Sequence, residues 1–455
     1  MMPVFFMAWL SIGICVVALA LTLLIQRTAG ATLGLPLAYM ISLLLVHLPG
    51  AYAFAISGGA YAGMQHFGDA IAQGIFLTSI AALCFVVGVA IAVGNSRWAD
   101  YDFQPTVMNV DARFTAFCLL GGWFLAFGVG PLRSVPTLGA AIYFGSSVWM
   151  LAAIAGLARS VQMRNPPGFA IWLTVLLIYP LTVLLTSGFL SYGSAAVIIV
   201  GSLAVIRMKS AMRSLLVVVA LGYLGISVFV NYFGARNELR ATIWSGSGFE
   251  QRIDAVADAF SDFHLFSHNN PDHLRALTIR LNQNEFVGIA ADRLNNAQAD
   301  YLKGESFRDA ALAPIPRAIW KNKPGGGGSG HIVRDMTGIN LATKTSWGVG
   351  NVMEFYINFG LWSLVPGFVL LGFLIAWLDR RAASALRSSD FSRSLLFFLP
   401  CVALIQPNGS LVEVAGGAFA AFLAAFALRF AWTMMMQPRP DQPIPASNAP
   451  QRGAR

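Results

Sequence analysis

Charge is what this sequence has least of. Charged residues fill 11% of its 455 positions, against about 25% in soluble domains, which excludes an ordinary water-soluble chain. Apolar residues make up 56% and the mean hydropathy is +0.65, so the expectation is an all-α polytopic membrane protein. Cysteine is scarce too. Cys15, Cys84, Cys118 and Cys401 all fall in apolar runs, where they read as small core residues without disulfide or metal spacing. The six histidines form no HExxH, and the paired outer acids, Glu354 and Glu413, form no DxD, so no metal and no cofactor is expected. Internal repeats are missing, as are the paired, Gly/Pro-broken helices of an inverted-repeat transporter. The net charge of +9 is no nucleic-acid signal, because Lys and Arg on short loops orient a membrane chain whatever its function.

What is present is a series of apolar runs near the roughly 20 residues that a bilayer of about 30 Å requires. They lie at 3–25, 31–52, 73–94, 114–131, 137–157, 168–187, 189–206 and 214–233, then after a long polar segment at 354–378, 394–408 and 411–431. The count is about 11, within 10–12. The first run exceeds a signal peptide's core and has no basic leader, so it reads as a retained anchor. Asn165 to Ile206 is free of charge and too long for one span, and TSGFLSYG at 186–193 is the turn within it. The division is an N-terminal membrane bundle of about eight helices at 1–233, a large helical loop at 234–350, about three helices at 351–436 and a tail at 437–455. That tail is rich in proline and basic, so disorder and weak attraction to anionic lipid are expected.

Charge placement orients the chain. The loops at 26–30, 95–113, 158–167, 207–213 and 379–393, with the end from Arg429, hold 16 of the 30 basic residues, and the short loops between them hold only Arg133. Those basic loops are expected in the cytoplasm, with the N-terminus and the long loop on the outer face and the C-terminus inside. In a bacterium this means the inner membrane and the periplasm.

The long loop is heterogeneous. From Arg236 to Leu312 there are 8 basic and 11 acidic residues; from Ala313 to Gly350 the basic residues are Arg317, Lys321, Lys323, Arg334 and Lys344 against Asp335 alone. Ile253, Val256, Ala257, Phe260 and Phe263 share a helical face, and Leu274, Leu277 and Leu281 begin another helix. Both are expected over the bundle with polar faces in water. Arg236, Glu238 and Arg240 leave the eighth run at the membrane surface, where a cation meets a lipid phosphate or simply snorkels. GGGGSG at 325–330 lacks the GK[ST] ending of a phosphate loop and reads as a hinge or lid. The cations flanking it suit a diphosphate, with Arg as a planar fork and Lys as a point charge.

Asn351-Val-Met-Glu354 and Ser410-Leu-Val-Glu413 both fit a capping box. Each acid also sits at the membrane boundary, where ionisable groups are functional candidates, here as a general base. His331 is the other candidate, because an imidazole's ordinary pKa of about 6.5 suits base work.

Four blocks stand in one order after many membrane helices: YLKGESF at 301–307, IPRAIWKNKP at 315–324, Thr337-Gly338, and EFYINFG at 354–360. Over about 275–380 the chain resembles bacterial O-antigen and exopolysaccharide repeat-unit polymerases of the Wzy type. The resemblance implies a GT-C-like membrane glycosyltransferase that moves a growing glycan from undecaprenyl diphosphate onto a new lipid-linked repeat unit at the periplasmic face. On that likeness Arg317, Lys323 and Arg334 hold the diphosphate, and Lys321, Lys344, Arg236, Arg240 and Arg280 add substrate contacts. Glu354, or His331, takes the proton of the acceptor hydroxyl, while Tyr356 and Asn358 position sugar or helix. Implied partners are the two lipid-linked glycans, membrane lipid, a flippase and a chain-length regulator, with no nucleic acid. The sequence departs in TSGFLSYG, which lacks the Ser-Arg pair relatives often show. Two alternatives stay open: a glycan ligase using the same donor, and a transporter or flippase for that lipid, which the scarcity of charge within the spans disfavours.

Overall fold

The computed structural model describes residues 4–57, 68–94, 111–129, 132, 135, 138–315, 320, 329–339 and 348–436. Arg133, Arg317, Lys321, Lys323, Lys344, the glycines at 325–328 and the tail at 437–455 lie outside the described residues. Among those described the regular structure is helical throughout. The first part comprises α1 (Val4–Thr28), α2 (Leu35–Ser57), α3 (Gly68–Gly94), α4 (Ala112–Trp123, continued as a π-turn over Phe124–Gly128), α5 (Leu138–Ser146), α6 (Val148–Gln162), α7 (Pro166–Ser187), α8 (Leu190–Ile206) and α9 (Ala211–Trp244). The long segment forms α10 (Phe249–Ala259), α11 (Pro271–Arg280), α12 (Gln283–Asn295), α13 (Glu305–Leu312) and α14 (Gly330–Thr337); α15 (Asn351–Phe359), α16 (Leu361–Arg387), α17 (Phe391–Leu404) and α18 (Leu411–Met436) follow.

Eight helices are long and apolar enough to cross a membrane, counting α5 with α6 as one, and α4, α8 and α17 are shorter apolar helices. The chain is a multi-pass membrane protein. Helix ends are set by local chemistry. Asn165 caps α7 ahead of Pro166 by accepting from Gly168 N at 3.1 Å, and the turn expected at TSGFLSYG forms at Gly188.

Basic loops gather at one end of the bundle. Arg27 bonds to the Lys209 carbonyl, and Arg380 to the carbonyls of Ala92 and Val93 at the end of α3. Asp379, fully buried, accepts from Thr32 Oγ1 at 2.6 Å, Leu33 N at 3.0 Å and Leu35 N at 3.2 Å, and so caps α2 from α16. The long segment occupies the opposite end.

Part of that segment does not lie over the bundle. Leu281 O accepts from Gly50 N of α2 at 2.9 Å, and α12 then lies along α3. A Cβ on Gly74 would strike Asn284 O, and one on Gly288 would strike Ala70 O; small residues allow this close approach of backbones. Because Gly288 meets Ala70 while Asn284 bonds Thr78 at 2.9 Å, the first turn of α12 is its deep end. At 1.5 Å per residue, Thr78 lies about 15 Å along α3 from its start. The apolar face of Phe286, Val287, Ala290 and Ala291 is buried there. The face expected along 253–263 is only half realised, since Val256 is buried while Ile253 and Phe263 are exposed. Leu274 and Leu277 are buried as their spacing predicts.

The run at 354–378 is not one spanning helix. Gly360, at φ +63° and ψ −137°, ends α15 and starts α16. Ser363 Oγ accepts from Phe359 N and donates to Phe355 O, and the Phe355 and Phe368 rings meet at 5.5 Å. In a straight helix these two residues would be about 20 Å apart. So α15 folds back beside α16 and its first turn points into the bundle. Asn351 Oδ1 accepts there from Tyr39 OH at 2.9 Å, and Tyr39 stacks on Phe85 of α3 at 4.7 Å.

Candidate functional site

The starts of α12, α15 and α18 converge inside the bundle. Asn351 fastens two of them: its N–H donates to Pro407 O at 2.8 Å and its Nδ2 to Gly409 O at 3.1 Å. The sequence pattern Ser410 to Glu413 forms the expected capping box, with Ser410 N donating to Glu413 Oε2 at 2.9 Å and Glu413 N to Ser410 Oγ at 3.2 Å. The twin pattern at Asn351 does not. Its N–H is already taken by Pro407, and Glu354 Oε2 accepts instead from Leu411 N at 2.7 Å. Glu354 thus caps α18 rather than its own helix.

This placement gives Glu354 unusual chemistry. It is fully buried, and its Oε1 has no hydrogen-bond partner among the described residues. Burial pushes its pKa up to about 7; the Leu411 N–H and the nearby Ser306 hydroxyl oppose the rise, and the charge of Glu413 adds to it. A carboxyl group poised there exchanges a proton near neutral pH.

The other face of α15 is wrapped by residues 301–306. Leu302 N donates to Ile357 O at 2.9 Å and Lys303 N to Asn358 O at 3.2 Å. Asn358 Oδ1 accepts from Gly304 N at 3.1 Å, while its Nδ2 donates to Ser306 Oγ at 2.8 Å and Glu354 O at 2.7 Å. Both ends of this buried amide are used, and they hold α15 to the 301–306 segment. Tyr356 is buried, and its hydroxyl is pushed up to about 12 by burial first and then by Tyr301; it stays protonated.

One acid at the junction escaped the sequence reading. Glu285, in the first turn of α12, is 6% exposed, and burial pushes it up to about 7. Gln283 Oε1, Asn282 Nδ2 and His47 Nε2 nearby are buried without hydrogen-bond partners among the described residues, and Gln283 lies against Gly350. The signal available was the Asn282-x-x-Glu285 spacing, which repeats that of Asn351 and Glu354.

A cationic group stands at the same end. Arg240 donates from Nε to Gly188 O at 3.2 Å and from a terminal nitrogen to Tyr232 OH at 3.0 Å, and lies 4.3 Å over the Phe189 ring. The turn that lacks an arginine of its own therefore receives one from α9. Arg236 lies 4.3 Å over Phe233. Arg280 of α11 is lowered to about 10 by burial and then by the charges of Arg236 and Arg240, which stand close enough to repel it. Neither Arg236 nor Arg240 has an ion-pair partner among the described residues. Gln283 follows Arg280 by three positions, so the α11–α12 elbow joins this cluster to the start of α15.

His331 and Arg334 are exposed on α14, whose buried face is Val333, Met336 and Thr337. Arg334 pairs with Asp335 at 3.5 Å, and no hydrogen bond or ion pair among the described residues joins His331 to Glu354. The arrangement can hold an anionic group at the arginines and move a proton at Glu354.

Residues 40–398 match the model of a family described as a domain of unknown function, DUF8712. The chain belongs to this family, and the match runs from α2 into α17 and includes α12 and α15, while Tyr39 and the junction residues from Pro407 onward lie outside it. No curated protein and no solved structure matches the chain.

Proposed function

We propose that this chain is a membrane glycosyltransferase that joins undecaprenyl-diphosphate-linked repeat units into O-antigen or exopolysaccharide. One observation carries the reading. The two blocks of the resemblance, 301–307 and 354–360, are laid on each other through Asn358, and between them and α18 they hold Glu354, buried and poised at about 7. In this reading the shorter apolar helices complete a GT-C-like bundle of 11 crossings, with the long segment in the periplasm and the C-terminus in the cytoplasm.

Arg236, Arg240 and Arg280, joined by Arg317, Lys321, Lys323, Arg334 and Lys344, neutralise the diphosphate as its bond to the glycan breaks. Glu354 accepts the acceptor's hydroxyl proton as the new glycosidic bond forms. A flippase supplies the repeat units and a chain-length regulator acts alongside.

The test is complementation of a deletion strain. Wild type restores polymer, whereas Glu354→Gln and Arg240→Gln at normal protein levels leave lipid-linked single repeat units that are still ligated. Wild-type chain that restores no polymer sinks the reading, and loss of single-unit ligation on deletion favours a ligase. Full-length polymer in both variants removes the two residues from the site.

A further inference from the structure

The end of the bundle opposite the long segment carries a second cationic group. Arg207 follows α8 directly, its N–H bonded to Leu203 O at 3.1 Å, and Lys209 lies two residues on. Arg27 reaches across from α1 to Ser214 Oγ at 3.1 Å and Lys209 O at 3.2 Å. Ser214 in turn donates to Val205 O at 2.7 Å, which closes the α8–α9 turn that carries Arg207 and Lys209 and that Arg27 grips. Arg387, at the end of α16, is close enough to Arg207 for the two charges to repel.

Arg27, Arg207 and Lys209 have no ion-pair partner among the described residues. The carboxylates of α16 and of the α17 cap are committed elsewhere, Asp379 to the start of α2 and Asp390 to Arg393 N. Like charges gathered on rigid backbone repel unless an anion joins them. What lies beside them identifies the anion. Met212, Leu216 and Val219 of α9, spaced i, i+4 and i+7, form an exposed apolar ridge that begins three residues after Lys209. Free phosphate would satisfy the cations and leave the ridge bare, whereas a lipid satisfies both.

We propose that Arg27, Arg207 and Lys209 form a headgroup site for an anionic phospholipid, whose acyl chain lies along Met212, Leu216 and Val219. The site is independent of the glycan chemistry at the other end of the bundle.

Native mass spectrometry of the full chain in mild detergent tests it, with phosphatidylglycerol, phosphatidylcholine and inorganic phosphate as probes. Phosphatidylglycerol is retained at least about 10-fold better than phosphatidylcholine, and Arg207→Gln with Lys209→Gln lowers its retention by about 30-fold. Leu216→Asn, at a side chain 60% exposed with little packing to lose, lowers retention by about threefold and keeps the test open if the charge variant does not fold. Equal retention of the two lipids, unchanged retention in either variant, or displacement of the lipid by millimolar phosphate overturns the proposal.

Discussion

A carboxyl group withdrawn from water keeps its proton until the pH nears its raised pKa, and this decides what Glu354 and Glu285 do to the molecule. Each rises from 4.5 to about 7 on folding, so between those values the folded chain binds more protons than the unfolded one. The benefit is full below pH 4.5 and is lost as pH rises toward 7, by about 3 kcal/mol per group. Glu285→Gln removes that loss: in detergent its melting midpoint should exceed wild type's above pH 7 and coincide with it near pH 4.5. A gap of equal size at both pH values would mean that Glu285 does not titrate. Glu354→Gln retains an acceptor for Leu411 N but cannot take up a proton. Polymerisation by wild type is expected to rise with pH through about 7 and level off, and the variant to lose at least about 100-fold at every pH. A flat wild-type profile would remove Glu354 as the base. Glu354 was legible in the sequence as an acid at a helix start, but its partner Leu411, 57 positions away, was not.

At the scale of elements, two helices carry the site because they enter the bundle by their first turns. The hairpin of α15 and α16 was hidden in a run with no charge after Glu354, where isolated polar residues such as Asn358 and Ser363 do not by themselves mark a reversal. Gly360 makes it, in a backbone conformation closed to other residues, and a Cβ there would also meet Tyr301 OH at 3.3 Å. Gly360→Ala is expected to cost about 1–3 kcal/mol. Gly74→Ala, which drives a methyl group into Asn284 O, should cost at least as much, about 1–3 kcal/mol, and unseat α12. Gly222→Ala on α9, with nothing within 4 Å of the added carbon, should be neutral or slightly stabilising. Thermal unfolding in detergent ranks the three. A neutral Gly74→Ala would show that α12 is not wedged against α3.

For the whole molecule the deciding quantity is which end faces the cytoplasm. The basic loops meet at one end, where Arg27, Arg380 and Asp379 tie helix ends together, and the charge rule assigns that end to the cytoplasm. A phosphatase that is active only in the periplasm, inserted in the exposed stretch 261–265, should be active, and the same enzyme after residue 455 inactive. The reverse pattern would invert the topology and move the proposed glycan site to the cytoplasm.

The sequence by itself determined that the chain is a multi-pass helical membrane protein, where its apolar runs lie and which loops carry the excess of positive charge. Those are sums over neighbouring residues, and transfer from water to lipid is additive along a run. Only the tertiary structure decided that α12 is a wedge, that Arg240 serves a turn without its own cation, and that Glu354 caps α18. Each depends on a contact between distant parts of the chain, such as Tyr39 with Asn351 across 312 positions. Local composition carries no record of such pairings, because they are fixed by which helices pack together and how closely glycine lets their backbones approach.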